Sequence, residues 1–254
     1  MISSETTLAR PVAVTSRHLE VTAAAGEQAW RLAGGRLGQD VPACPEWRIR
    51  DVVYHLGNVA GFVAACVAQG AEEPEFTDAE KPSDDRIVQW ASGEWNRALD
   101  GLAAAGPGTP AWNWSTRPRV APFWARCLTH EAFVHTWDLA ESAGETLVVP
   151  ADVAADGVDE ILDVHLAAGV RDGRLFPLSG RAEVHSTDTG DRWLVETTAD
   201  GVTTAMAAAG EPADVRLEGT AERLYLDLWG RVPLGLGALQ TAWAGQLAAN
   251  WSTA

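Results

Sequence analysis

From residue 15 to residue 143 the chain alternates long stretches of helical periodicity with short breaks. Leu19, Ala23, Trp30 and Leu37 recur at roughly helical intervals, so a first helix is expected over about 15–37. Val41-Pro42-Ala43-Cys44-Pro45 interrupts it. A second helix is expected from about Ile49 to Gln69, with Asp51 near its start and Gly70 just past its end. A third covers roughly Asp84 to Ala105 and is closed by Gly106-Pro107-Gly108. An aromatic, proline-bearing stretch from Trp112 to Pro118 leads to a fourth helix, about Pro122 to Ala143, ending at Gly144. Four helices of this length make a bundle, and bundle interiors are common places for metal sites.

After Pro150 the pattern changes. One helix is expected from Asp152 to about Ala168. Arg181–Thr187 and Trp193–Thr198 alternate as strands do, with Asp188-Thr189-Gly190-Asp191 as a hairpin turn between them. Val215-Arg216-Leu217-Glu218 reads as a third strand, and helices are expected at about Thr220–Trp229 and Leu239–Trp251. The second half is thus a smaller α+β unit. The fold class is α plus α+β, with a boundary near 145–150; the domains are taken as 1–148 and 149–254.

The 254 residues are 46% hydrophobic, enough for a substantial core, yet no uninterrupted apolar run reaches the ~18–20 residues of a membrane-spanning helix. The first seven residues lack the basic-then-apolar layout of a secretion signal. A soluble cytoplasmic protein with no membrane partner is expected. The formal net charge of -16 repels phosphate backbones and argues against nucleic-acid binding. Part of that charge lies between Glu72 and Asp85, opposed within the run by Lys81 alone, and reads as a solvated loop. Cys44, Cys66 and Cys127 are too few and too scattered for a disulfide framework, which suits a reduced compartment. Lys81 is the single lysine among 19 basic residues, a bias typical of GC-rich coding, as in many actinobacteria.

The candidate chemistry lies in Cys127-Leu128-Thr129-His130-Glu131-Ala132-Phe133-Val134-His135-Thr136-Trp137-Asp138. Glu131 and His135, four apart on a helix, leave the same face one turn apart. A carboxylate beside an imidazole supplies two of the three protein ligands of a catalytic zinc site. His55, in Asp51-Val52-Val53-Tyr54-His55-Leu56-Gly57, is the candidate third ligand. Each signal alone is weak. Glu-x-x-x-His also arises as an exposed helix pair, and a histidine amid Val52, Val53, Leu56 and Val59 also arises as a hydrogen-bonded core residue. Polar groups are expensive inside a bundle unless satisfied, and a shared metal would satisfy all three. His130 and His135 are five apart, so the zinc-protease pattern His-Glu-x-x-His is not met. Cys127 shares the face of Glu131 and reads as a small core residue or a neighbour of the metal. Trp112, Trp114, Trp124 and Trp137 read as core or pocket wall. Asp138 either orients a neighbour or faces solvent.

Val41-Pro42-Ala43-Cys44-Pro45-Glu46-Trp47-Arg48-Ile49-Arg50-Asp51-Val52-Val53-Tyr54-His55-Leu56 resembles the opening signature of the mycothiol-dependent maleylpyruvate isomerase family. Phe123-Trp124-Ala125-Arg126 through His130-Glu131, His135 and Trp137-Asp138 resembles its second signature. Gly219-Thr220-Ala221-Glu222-Arg223-Leu224-Tyr225-Leu226-Asp227-Leu228-Trp229-Gly230-Arg231 resembles the signature of its C-terminal domain. The resemblance spans nearly the whole chain in the right order.

It implies a DinB-like four-helix bundle followed by a small α/β domain, with zinc held by His55, Glu131 and His135. It also implies mycothiol as thiol cosubstrate, activated as thiolate to attack an electrophilic small molecule. The outcome would be isomerisation or S-transfer. A C-terminal arginine, matched to Arg231, would bind a substrate carboxylate. Thr136 departs from the arginine common at that position. A zinc-water hydrolase and a non-catalytic metal-binding protein are the alternative readings. The partners implied are the thiol and a small electrophile, in a monomer or homodimer.

Overall fold

A computed structural model describes residues 16–174, 179–198 and 201–232. These fall into two compact units, one ending at Leu147 and the other beginning at Val148.

The first unit is built on four helices: α1 (Ser16–Ala33), α2 (Ile49–Gln69), α3 (Ile87–Ala104) and α4 (Ala121–Ala143). α1, α2 and α3 each bury an apolar stripe at helical spacing, whereas α4 is buried on nearly all sides; α2 packs on α3 and α4 while α1 packs on α4 and α3. The α4 helix opens with Pro122 in its first turn, where a missing N–H costs nothing. It closes at Gly144, whose φ of 68° is left-handed. Most of α4 is buried, including Arg126, Thr129, His130, Thr136 and Asp138. Some of these polar groups tie α4 to α1: the Thr22 and Thr129 hydroxyls share a hydrogen bond of 2.7 Å, and Thr136 Oγ1 donates to Ala25 O at 3.1 Å.

Two tryptophans of α3 sit directly against glycines of neighbouring helices. A Cβ at Gly26 of α1 would overlap the Trp95 indole, and one at Gly57 of α2 would overlap that of Trp90. Glycine within a helix is unfavourable by about 1 kcal/mol relative to alanine. Here it lets large aromatic surfaces close against the neighbouring backbone.

The break at Val41–Pro45 is a small hairpin of β1 (Asp40–Val41) and β2 (Cys44–Arg48). Strands this short carry no periodicity, so the sequence shows only the prolines. The hairpin runs straight into α2, where Arg48 N donates to Asp51 Oδ2 at 2.8 Å.

The acidic segment between α2 and α3 is not simply solvated. Lys81 pairs with Asp51, and its ammonium lies 4.9 Å from the centre of the Tyr54 ring. Tyr54 Oη donates to Ala79 O at 2.6 Å, Ala79 N donates to Asn58 Oδ1 at 3.0 Å, and Arg50 pairs with Asp84 at 3.2 Å. Phe76 packs edge-on against Phe62. The segment is strapped along one face of α2 at residues 51, 54, 58 and 62. That helix is long and apolar enough to cross a membrane by length and composition, with a mean hydropathy of 1.4. Ile49, Val52, Val53, Leu56, Ala60, Val63 and Cys66 of that helix are buried, and it packs on α3 and α4.

The second unit holds a four-stranded sheet in the order β5-β4-β3-β6, with β3 Gly180–Ser186, β4 Arg192–Thr198, β5 Gly201–Met206 and β6 Val215–Gly219. Neighbours are antiparallel except β3 and β6, which run parallel. The edge strand β5 is half-buried and lacks strong alternation, which explains why the sequence shows three strands and the structure four. The helix expected over 152–168 is α5 (Ala151–Glu160), a π-helical turn (Ile161–His165) and α6 (Leu166–Arg171) in succession. It packs on the sheet through Trp193 Nε1, which donates to Asp159 Oδ1 at 2.9 Å, and Thr204 Oγ1, which donates to Leu162 O at 2.9 Å. On the other face of β3, the buried Glu183 carboxylate receives hydrogen bonds from Arg192 of β4 and Arg216 of β6. Then α7 (Ala221–Leu228) is capped by Thr220, whose side chain accepts from Arg223 N at 3.3 Å. The helix expected at Leu239–Trp251 lies outside the described residues.

Candidate metal centre

His55 and Glu131, 76 positions apart in the chain, are brought together by the packing of α2 on α4. His55 leaves α2 towards the face of α4 from which Glu131 and His135 project. One donor atom from each of the three lies within 4.8 Å of the others. His55 Nε2 is 3.0 Å from Glu131 Oε2, and His135 Nε2 is 3.6 Å from the same oxygen. Tetrahedral bonds of about 2.0–2.1 Å place ligand atoms roughly 3.3 Å apart, a value these two spacings bracket. His55 and Glu131 are partly exposed and His135 is buried, so the cluster has a dry side and an accessible one.

The proton count also suits a cation. His135 stands between two carboxylates, with Asp138 Oδ2 2.9 Å from Nδ1 and Glu131 facing Nε2. A neutral imidazole has one N–H and cannot donate to both. Burial pushes His135 below the ordinary imidazole range; the Asp138 hydrogen bond opposes that shift and nearby His55 adds to it. A charged ring is therefore disfavoured, and one nitrogen is left presenting a lone pair to a carboxylate. A divalent cation shared by His55, Glu131 and His135 removes that conflict. This donor set can hold zinc through two imidazole nitrogens and one carboxylate oxygen.

Trp47, delivered by the hairpin, roofs the cluster. Its ring stacks on His135 at 5.8 Å with 25° between planes and lies 5.2 Å from His55. The imidazoles themselves meet edge to face at 4.7 Å. The sequence shows Trp47 only within the stretch that resembles the family's opening signature, because the hairpin that aims it has no periodic signal. Asp138, for which two roles were open, is fully buried against His135.

The other candidates lie elsewhere. Cys127 is buried in α4 and is not part of the donor cluster, and neither is His130. Thr136 is buried with its hydroxyl on an α1 carbonyl, so this position faces helix packing rather than the donors. Trp112, Trp114 and Trp124 form an aromatic cluster with Phe62 and Phe123. Arg231 follows α7 in the second unit, where its Nη1 donates to Trp229 O at 2.7 Å.

A helical unit that brings a donor atom of two histidines and a glutamate within 4.8 Å of one another belongs to the class of helical proteins that could hold a metal ion. The profile of the mycothiol maleylpyruvate isomerase N-terminal domain matches residues 12–140, just over half of the chain, and the chain belongs to that family. Two solved structures share the fold. One is the crystal structure of the mycothiol-dependent maleylpyruvate isomerase, at 14% identity and a TM-score of 0.60, covering 89% of this chain and 92% of that one. The other is a mutant of the mycothiol-dependent maleylpyruvate isomerase, at 13% identity and a TM-score of 0.58, covering 87% and 90%. No curated protein sequence matches the chain.

Proposed function

We propose that this protein is a zinc-dependent, mycothiol-dependent enzyme that carries out isomerisation or S-transfer on an electrophilic small molecule. The observation that carries the reading is the convergence of His55, Glu131 and His135 from two helices, in a chain that belongs to this family. On this reading residues 1–148 form a DinB-like four-helix bundle and 149–254 a small α/β domain. The protein is cytoplasmic and works as a monomer or homodimer.

Zinc, when bound, supplies the positive charge that keeps a thiol deprotonated at neutral pH. The protein's own residues do the rest. Glu131 contributes the negative ligand; before metal binds, its 3.0 Å contact with His55 Nε2 holds that ring towards the site. Trp47 covers both imidazoles and limits water on that side. In the isomerase outcome the thiolate adds to one carbon of a cis double bond conjugated to a carbonyl, forming a C–S bond as the π bond breaks and its electron pair moves onto the carbonyl oxygen. The resulting single bond rotates, and the pair returns to re-form the π bond as the C–S bond breaks, which releases the thiolate and leaves the trans isomer. In the transferase outcome the C–S bond is kept and the neighbouring carbon takes up one proton. Arg231 binds a carboxylate of the substrate, for which a planar guanidinium is suited.

The test is an assay of the zinc-loaded full chain on maleylpyruvate, and on a panel of other electrophiles, with and without mycothiol. Turnover that requires the thiol supports the reading. Hydrolytic turnover without thiol favours zinc-activated water instead. Zinc binding with no turnover and no thiol binding leaves a non-catalytic metal-binding protein.

A further inference from the structure

Resting on the zinc reading above, we propose that Asp138 is a positioning residue that holds the His135 proton on Nδ1, so that Nε2 is the nitrogen offered to the metal. Asp138 lies three residues after His135 on α4, and its carboxylate is fully buried. The 2.9 Å contact to Nδ1 is short enough for a charge-assisted hydrogen bond. A carboxylate accepts only, so Nδ1 must donate. The stacked Trp47 ring holds the imidazole plane. With plane and proton both set, the Nε2 lone pair is aimed at Glu131 and His55 before any metal arrives. The anionic acceptor behind the ring also raises the donor strength of Nε2, as carboxylates behind metal-bound histidines do.

The two histidines are unequal in this respect. His55 contacts Glu131 through Nε2, and among the described residues no hydrogen-bond partner engages its Nδ1. Its ring is oriented by the same glutamate that would share the metal. His135 is therefore the preorganised ligand, and His55 sets its final geometry when the metal binds. The sequence carries the spacing, since residues three apart on a helix are neighbours. Burial of the carboxylate and its aim at Nδ1 are tertiary facts.

The experiment uses the full chain stripped of metal with a chelator. Ring nitrogen NMR at mildly alkaline pH, where imidazoles are neutral, reports the tautomer of His135 directly. The expected result is the Nδ1–H form in the wild type and a mixed or reversed population in Asp138→Ala. Zinc affinity is then measured by competition with a chromophoric chelator. Asp138→Asn, close in shape and able to keep the fold where alanine fails, should weaken zinc by about 10–100-fold. In a His135→Ala background the same Asp138→Asn change should cost nothing further, because the aspartate acts through that ring. A wild-type Nε2–H tautomer overturns the proposal. So does unchanged zinc affinity in folded Asp138→Asn, or an equal loss in the His135→Ala background. If wild-type protein binds no zinc, the metal reading fails by itself, while the tautomer result still decides whether Asp138 sets the proton.

Discussion

Removing one ligand at a time should abolish most of the stabilisation that zinc confers on this protein. Structural zinc sites bind with an apparent free energy of about 10–16 kcal/mol at neutral pH. Shared over four positions, each protein ligand accounts for about 3–4 kcal/mol, or roughly 100–1,000-fold in Kd. His55, Glu131 and His135 lie close enough to act as one set, so each substitution should show a loss of this order. Zinc at about 1,000 times the wild-type Kd adds about 4 kcal/mol to the folded state. For a chain of this length that raises Tm by about 8–16 °C. At the same zinc concentration, His55→Ala, Glu131→Gln and His135→Ala should retain about 0.4–1.4 kcal/mol, a rise of no more than about 6 °C. Without metal, Glu131→Gln should change Tm little, because the glutamate and His55 are both partly exposed and such pairs contribute up to about 1 kcal/mol. The assay is thermal unfolding followed by circular dichroism, with and without zinc, supported by metal analysis expecting about one zinc per chain. A full wild-type increment in the triple variant would place the metal elsewhere and refute the reasoning.

Arg231→Ala should lower kcat/KM for a carboxylate-bearing substrate by about tenfold or more, equivalent to about 1.4 kcal/mol, while the zinc-induced rise in Tm is unchanged; unchanged kinetics would leave Arg231 as a helix-end residue bonded to Trp229 O. Gly57→Ala should destabilise the protein by about 1–3 kcal/mol, because the new methyl overlaps the Trp90 indole, and a neutral or stabilising result in urea melts would contradict that packing. Burial pushes the Glu183 carboxyl up, but hydrogen bonds from Arg192 and Arg216 outweigh it and hold the group below the ordinary range. A depressed folded value gives stability that is present above the unfolded value of about 4.3 and is lost as pH falls through the folded one. The stability gap between wild type and Glu183→Gln should therefore narrow steadily below about pH 5, and a gap that widens on acidification would reverse the assignment.

The sequence alone determined the four helices of the first unit, although the first ends at Ala33 rather than near residue 37, and three of the four strands after Pro150, because apolar spacing is a local property read over a few turns. It also determined that Glu131 and His135 share a face, since helix geometry places residues four apart together. It did not show the 40–48 hairpin or the edge strand β5, which are too short or too weakly alternating to leave a pattern. The acidic segment reads as a solvated loop and its carboxylates are exposed, but its docking was not legible because it depends on Asp51, Tyr54 and Asn58 arriving from α2. Tertiary structure decided the site. His55 reaches Glu131 across 76 residues only because α2 packs on α4, and Trp47 reaches both imidazoles only because the hairpin turns it over them. The same holds for Asp138, whose spacing permits contact with His135 while burial alone excludes the water that would otherwise compete for its carboxylate. Such contacts join residues distant in sequence, and their energies depend on which groups exclude solvent together, a property no local window contains.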